Sequence, residues 1–164
     1  MNYEASFQPM HIGKMLVKNR LIVPAMDSGM ANPDGSISDK TVGYYAARAR
    51  GGFGMVITEI AAIERRGAGM PCEIDISRDD TIPGLKTLAD GIKAYGSRAV
   101  VQLHHAGRET VAALAMEQPA APSSVPCPVN RETPHEFTTE EVYEIIDKYI
   151  ASAIRAQKAG FDAV

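Results

Sequence analysis

The sequence predicts an α/β fold in which parallel strands alternate with helices. Three observations indicate it: short apolar runs without polar alternation, amphipathic stretches between them, and Gly or Pro at the junctions. The order strand, helix, strand, helix, strand, helix, strand requires right-handed crossovers and a parallel sheet covered by helices. An open doubly wound sheet and a closed eight-stranded (β/α)8 TIM barrel both satisfy this order.

The first predicted strand is followed by a capped helix. Leu21–Val23 is an apolar run that Pro24 ends, and its lack of polar alternation is typical of a strand buried on both faces. Ser38 is a candidate N-cap for the helix, and Gly51 and Gly52 end it. The apolar residues of this helix recur at helical spacing: Val42, Tyr45, Ala46 and Ala49.

The next two predicted strands enclose a second helix. Met55–Ile57 runs into Thr58–Glu59, so polar groups are expected where this strand ends. An amphipathic helix begins near Pro83 and closes at Gly96, and Ala99–Leu103 forms the third strand. The apolar face of the second helix consists of Leu85, Leu88, Ala89 and Ile92.

A proline-rich segment separates the third strand from the last helix. Residues Ala106–Glu136 are too many for a simple connector, so we expect this loop to overhang the sheet edge where the strands end. Thr138 and Glu141 form a capping box for the last helix, and Phe137 can pack on Val142 as a hydrophobic staple. The apolar face predicted for this helix consists of Val142, Ile145, Ile146, Tyr149, Ala153 and Ile154.

The residues that follow the strands favour the barrel over the open sheet. The nucleotide-binding fingerprints G-x-G-x-x-G and G-x-x-x-x-G-K-[ST] are absent from the sequence. Polar residues instead follow the strand ends: Asp27, Glu59 and Gln102–Arg108. Barrel enzymes carry their active sites at that end of the strands.

The chain accounts for about half of such a barrel. Gly160 is the expected C′ residue of the last helix, and Asp162–Val164 opens a fourth strand. Because a complete barrel takes about 250 residues, residues 1–164 are predicted to form the N-terminal portion of one barrel domain, with three strands and the start of a fourth.

The composition is that of a globular domain without a polyanionic partner. The 164 residues are 45% hydrophobic and 23% charged, and the net charge of −3 argues against nucleic-acid binding. No long apolar run or secretory signal is present, so we expect no membrane partner and a cytoplasmic protein. Cys72 and Cys127 lack metal-ligand spacing and are expected to be free thiols.

Three strings at successive strand ends carry a family resemblance. They are KNRLIVPAM at 18–26, GMVITE at 54–59 and VQLHHAGR at 101–108. Together they resemble the old yellow enzyme family of flavin-dependent ene reductases, and especially its NADH:flavin oxidoreductase and 2,4-dienoyl-CoA reductase branch. The resemblance covers essentially the whole chain and implies a (β/α)8 barrel that holds FMN at the carboxyl ends of its strands.

The resemblance also implies a set of flavin-binding residues. Gln102 would bind the pyrimidine edge of the flavin, since a carboxamide offers one donor and one acceptor side by side. Pro24, Ala25 and Met26 would form the shelf beneath the ring. From the residues alone, Gln102 could equally be a side chain that caps loop backbone, and Pro24–Met26 a simple strand end.

Two positions depart from the family pattern. Asp27 lies where relatives commonly have Thr, Cys or another small or polar residue. An ionised carboxylate there would make the flavin harder to reduce, whereas a protonated one would do the opposite. Ile60 lies where relatives often have Ala or Gly, which leaves less room above its backbone contact with the flavin.

The histidines after the third strand have two possible roles. His105 and Arg108 match the family motif and could contact substrate, or they could order the start of the long loop. His104 and His105 are neighbours on a strand and therefore point to opposite faces, so no shared metal site is expected.

The reaction that the resemblance implies has two halves. NADH or NADPH reduces FMN, and hydride then passes to an alkene conjugated to a carbonyl or an acyl-CoA thioester. The family's oxyanion donors and its proton-donating Tyr are expected just after Val164, so no catalytic residue is predicted within this chain. The phosphate site of FMN, and any iron–sulfur cluster, would also lie downstream.

The chain alone is therefore expected to be inactive. It would recruit a complementing half-barrel, form a homo-oligomer or aggregate, because half a barrel leaves two sheet edges unpaired. The alternatives are a non-catalytic half-barrel assembly module and a flavin-free barrel enzyme such as an aldolase or lyase. A flavin-free aldolase or lyase would require a Lys at a strand end for Schiff-base chemistry, and no predicted strand ends in Lys.

Overall fold

Helices cover one face of a parallel sheet in the computed structural model, which describes residues 3–164. The strands are β1 (Met10–Ile12), β2 (Met15–Val17), β3 (Ile22–Val23), β4 (Met55–Ala62), β5 (Ile74–Asp75), β6 (Arg98–His104), β7 (Ala120–Ala121) and β8 (His135–Glu136). The helices are α1 (Asp39–Arg50), α2 (Ile82–Lys93), α3 (Ala112–Ala115) and α4 (Thr139–Lys158). No helix of the described residues is long and apolar enough to cross a membrane.

The main parallel strands follow one another across the sheet in chain order, and the two-residue β5 pairs with the end of β4 on the side of β3. Strand β3 pairs with β4, β4 pairs with β6, and Ala163 bridges to Val100 of β6. A doubly wound sheet reverses direction at a switch point, whereas β3, β4, β6 and the bridge at Ala163 follow one another toward the same side. The predicted α/β barrel topology is therefore confirmed, and the described residues cover part of a barrel.

The outer face of the sheet and the helices enclose the main core. Alternate residues of β6, Ala99, Val101 and Leu103, point into this layer because side chains alternate along a strand. The helices contribute four large, fully buried side chains here: Tyr45, Leu85, Leu88 and Ile92. These four match the apolar faces predicted for the first two helices.

The N-terminal hairpin covers part of the inner face, which the sequence analysis did not predict. Strands β1 and β2 pair antiparallel around a turn at Gly13, whose φ of +57° suits glycine. Val17 of the hairpin packs on Met55 and Val100, which point inward from β4 and β6. The hairpin thus covers the amino ends of the strands and leaves their carboxyl ends open.

The helix boundaries confirm the predicted capping residues. The Ser38 hydroxyl accepts a hydrogen bond from the Thr41 amide at the start of α1. Both hydrogen bonds of the Thr138–Glu141 capping box are formed. Gly160 follows α4 with a φ of +89°, the left-handed conformation that a C′ glycine adopts.

Strand β4 differs from the prediction, which ended it at Thr58–Glu59. It continues to Ala62, with a bulge between Ile57 and Ile60. The bulge inserts a residue, so Ile57 lies opposite Val100 and Ile60 lies opposite Gln102. Glu59 is therefore inside the strand and not at its end.

Helix α4 buries only part of its predicted apolar face. Ile145 and Tyr149 pack on the main core. The exposed apolar residues, here called the α4 stripe, are Val142, Ile146, Ile150 and Ile154. The predicted apolar face is thus buried only in part, because α4 is the last helix of the layer and no described element covers its outer side.

The long loop is partly ordered by its own short elements. It contains α3 and β7, and β7 pairs in parallel with β8 at Ala120 and His135. Asn130 Nδ2 donates to the carbonyl of Glu109 at 2.6 Å. These contacts fold the loop back on itself after β6.

Candidate active site at the carboxyl ends of the strands

The predicted flavin-binding residues lie on the part of the inner face that the hairpin leaves open. Gln102 of β6 is the direct register partner of Ile60 of β4. The side chain of Gln102 is exposed, and that of Ile60 is half-buried. The carboxamide makes no hydrogen bond to any other residue within 3–164, so its donor and its acceptor are both available.

The segment 24–27 leaves β3 at the same end of the sheet. Pro24, Met26 and Asp27 are exposed, and Met26 retains 60% of its accessible surface. Ala25 is half-buried. The structure thus places this segment and the Ile60–Gln102 pair on neighbouring parallel strands.

A buried carboxylate anchors the chain just after this segment. Oε2 of Glu59 accepts hydrogen bonds from the amides of Ser28 at 2.5 Å and Gly29 at 3.1 Å, and Oε1 accepts from the Ser28 hydroxyl at 2.9 Å. Glu59 is completely buried. Glu59 was predicted only as a polar residue at a strand end, although a charged residue within an apolar strand was a visible signal.

The backbone of Glu59 is held from the helix side. Its amide donates to the hydroxyl of Tyr45 in α1 at 2.7 Å. Burial, together with the nearby negative charge of Glu59, raises the pKa of Tyr45 above its ordinary value of 10. The hydroxyl therefore remains protonated and in place as an acceptor for this amide.

The two adjacent histidines have different partners. His104 Nδ1 lies 3.3 Å from Oε1 of the buried Glu73. His105 Nε2 lies 2.8 Å from Oε1 of Glu64, and its Nδ1 accepts from the amide of Gly107 at 3.0 Å. In this position His105 orders the start of the long loop, and its contact with substrate stays a prediction.

Glu64 joins three elements at this end of the sheet. Its second carboxylate oxygen binds the ammonium group of Lys148 in α4. Burial alone would raise the pKa of Glu64, but the hydrogen bonds and charges of His105 and Lys148 outweigh it and hold the pKa at about 2. Arg108 is less constrained, with Nε 3.6 Å from the Glu109 carboxylate.

A match to a known protein family identifies the chain. The profile of the NADH:flavin oxidoreductase / NADH oxidase family matches residues 6–164. The chain belongs to this family. Membership agrees with the old yellow enzyme resemblance of the three strand-end strings.

The relatives in this NADH:flavin oxidoreductase family are much longer proteins. The chain is 38% identical over 160 residues to an NADH oxidase of Thermoanaerobacter brockii. The aligned region covers 96% of the chain but only 25% of that protein. It is 40% identical over 148 residues to an NADH:acrylate oxidoreductase of Vibrio harveyi. Here the aligned region covers 89% of the chain and 15% of that protein. The chain thus spans a quarter or less of these two relatives.

A solved structure of an old yellow enzyme homologue from Zymomonas mobilis shares the fold. It superimposes with a TM-score of 0.90 at 26% identity, over 96% of the chain and 46% of that protein. The agreement confirms that the described sheet and helices are part of an old yellow enzyme barrel.

The residues present fit the flavin that this family binds. The free carboxamide of Gln102 offers the alternating donor and acceptor that a flavin pyrimidine edge needs. The exposed backbone segment 24–27 and the open inner face leave one side of a planar ring accessible.

Proposed function

We propose that residues 1–164 form the flavin-binding N-terminal portion of an ene reductase barrel. The reductant would be NADH or NADPH, and the substrate a small molecule whose alkene is conjugated to a carbonyl or thioester. The observation that carries the proposal is the unpartnered carboxamide of Gln102 beside Ile60, on the open inner face reached by segment 24–27. The acrylate-reducing relative from Vibrio harveyi supports the substrate class.

Each of these residues has a definite task in the proposed site. The Gln102 carboxamide binds the pyrimidine edge through one donor and one acceptor. The backbone of Pro24, Ala25 and Met26 supports the ring face, and Ile60 contacts the ring from β4. FMN, when bound, supplies the hydride carrier between the nicotinamide and the alkene.

Catalytic proton transfer is assigned to residues outside this chain. The exposed side chains of segment 24–27 and Gln102 include no His or Tyr, and His105 is engaged with Glu64 and Gly107. By the family resemblance, the donor for the developing negative charge on the substrate oxygen is expected just after Val164.

An NMR titration tests the flavin site in the chain itself. FMN added to the ¹⁵N-labelled chain should shift the backbone amides of residues 25–27 and the side-chain amide of Gln102. The variant Gln102→Ala should weaken binding about thirtyfold, because it removes two hydrogen bonds that each contribute about 1 kcal/mol net. The control Gln8→Ala, an exposed Gln near the N-terminus, should bind like the parent. Shifts confined to other residues would contradict the proposal.

A chimera tests the reaction. In it, this chain replaces the matching N-terminal segment of the Zymomonas mobilis homologue, and the oxidation of NADH or NADPH is followed with 2-cyclohexenone as the alkene. We expect FMN retention and alkene-dependent turnover, both weakened by Gln102→Ala. A chimera that retains FMN and is reduced, but leaves the alkene unchanged, would contradict the ene reductase assignment.

A second candidate is the half-barrel assembly module, in which the chain serves to associate with another half. The α4 stripe favours it, since four large apolar side chains on one helix face are each 39–53% exposed. Association is compatible with the flavin site and is tested separately in the Discussion.

A further inference from the structure

Glu59 places a completely buried carboxylate in the middle of β4. Burying an ionised carboxylate is costly unless hydrogen bonds compensate the charge. All the donors that the described residues supply to it come from Ser28 and Gly29, 31 and 30 residues earlier in the chain. The carboxylate therefore binds only the Ser28–Gly29 turn among the described residues.

The turn is the far end of the segment predicted to support the flavin. At the near end, Val23 pairs with Val56 of β4. At the far end, Ser28 and Gly29 bind Glu59, three positions further along the same strand. Segment 24–27 is thus a short arch with both ends fixed on β4, and the position of Glu59 determines its shape.

Glu59 also lies in the bulge that sets which residue of β4 faces Gln102. Glu59 is within the bulge between Ile57 and Ile60, and without the inserted residue Ile60 would not face Gln102. The Tyr45 hydroxyl fixes the Glu59 amide at 2.7 Å from the helix side. The backbone is thereby held while the carboxylate reaches over to the arch.

A second buried carboxylate supports the arch from behind. Oε2 of Glu73 accepts from the amides of Gly69 at 2.6 Å and Met70 at 3.3 Å. A Cβ at Gly29 would lie 3.1 Å from the terminal methyl of Met70. The Ser28–Gly29 turn is therefore packed between Glu59 and a neighbouring loop held in the same way.

From these contacts we infer that Glu59 is a positioning residue for the flavin site: its carboxylate holds the arch 24–27 in the shape that supports the ring. This role rests on the proposed function, since it assumes that the arch binds flavin. The negative charge of the carboxylate strengthens the hydrogen bonds from the Ser28 and Gly29 amides, which both reach Oε2. A Gln could keep one oxygen on these amides but would lose that charge, and its amino group would face the Ser28 hydroxyl.

The test compares three forms of the full chain by NMR and thermal unfolding. Glu59→Gln removes the charge at nearly constant volume. Ile92→Ala, a core substitution in α2, is the control for general destabilisation. For each form we would measure hydrogen exchange at Ser28 and Gly29, the FMN dissociation constant and Tm.

The expected result separates positioning from stability. Glu59→Gln should increase the hydrogen-exchange rates of the Ser28 and Gly29 amides more than those of the β6 amides. It should also weaken FMN binding about tenfold. Ile92→Ala should lower Tm at least as far while FMN affinity stays within about twofold. Unchanged FMN affinity in Glu59→Gln, or equal loss in both variants, would overturn the role of Glu59 alone. A parent chain whose arch amides do not respond to FMN would overturn the proposed flavin site and this role with it.

Discussion

His105 and Glu64 form a hydrogen-bonded pair, 2.8 Å from Nε2 to Oε1, that joins the residue following β6 to the segment following β4. Lys148 adds α4 to the same carboxylate. The ring of Phe137, at the end of the long loop, lies against that of His105 with centroids 6.0 Å apart. Both ends of the long loop are thus fixed at one charged cluster.

This cluster should make folding stability depend on pH in the acid range. The pKa of Glu64 is lowered from its ordinary value of 4.5 to about 2 in the folded chain. A lowered carboxyl pKa stabilises the fold above the unfolded value, and that contribution is lost as the pH falls from about 4.5 toward 2. Allowing for solvent screening, we expect the loss to reach about 1–2 kcal/mol.

Urea unfolding at pH 6, 4 and 3 measures this contribution when Glu64→Gln is compared with the parent chain. The variant should be less stable at pH 6, and the difference should shrink as the pH falls. Glu144→Gln, an exposed residue of α4, serves as the control and should track the parent. A difference between parent and Glu64→Gln that stays constant with pH would contradict the prediction.

The N-terminus of α4 should depend on its capping box. In Thr138→Ala the Glu141 amide loses its side-chain acceptor, while the Glu141 carboxylate can still bind the Thr138 amide. We expect a loss of about 1 kcal/mol in the free energy of unfolding. Thr139→Ala, one residue later and exposed, should change stability by less than half as much. Equal losses in the two variants would show that the cap contributes nothing.

The sequence predicted the elements whose signals are local. The three long helices are specified by apolar periodicity and by capping residues such as Ser38 and Thr138, all within a few positions of each other. The β1–β2 hairpin and β5 were missed because strands of two or three residues carry too little periodicity. Their stability comes from pairing and from contacts such as Val17 on Met55.

The candidate site could be predicted only in part for a similar reason. Gln102 and segment 24–27 follow from strand ends together with the family strings. The bond between Glu59 and Ser28 spans 31 residues and depends on a bulge, and bulge positions are set by the partner strand. The exposure of the α4 stripe likewise depends on the absence of a described neighbour beyond α4.

The α4 stripe should cause the chain to self-associate. Ile150 is the most exposed member of the stripe, at 53%. Ile150→Lys should therefore reduce association measured by sedimentation velocity at rising protein concentration. Ala47→Lys adds the same charge to the exposed side of α1 and should associate like the parent. A parent chain that is monomeric at every concentration would contradict both this prediction and the half-barrel assembly module.

The charge at Asp27 should lower the reduction potential of bound flavin. Asp27 is exposed in the arch beside the predicted ring position, and its carboxylate makes no hydrogen bond to another of the residues 3–164. A negative charge there opposes the negative charge that the flavin gains on reduction, so Asp27→Asn should raise the potential. The FMN-loaded chimera allows measurement by dye equilibration. Asp39→Asn, an exposed carboxylate at the start of α1, should shift the potential less than Asp27→Asn does. Equal potentials in Asp27→Asn and the parent would remove the proposed tuning role, because a carboxylate that contacts the ring region cannot lose its charge without a measurable shift.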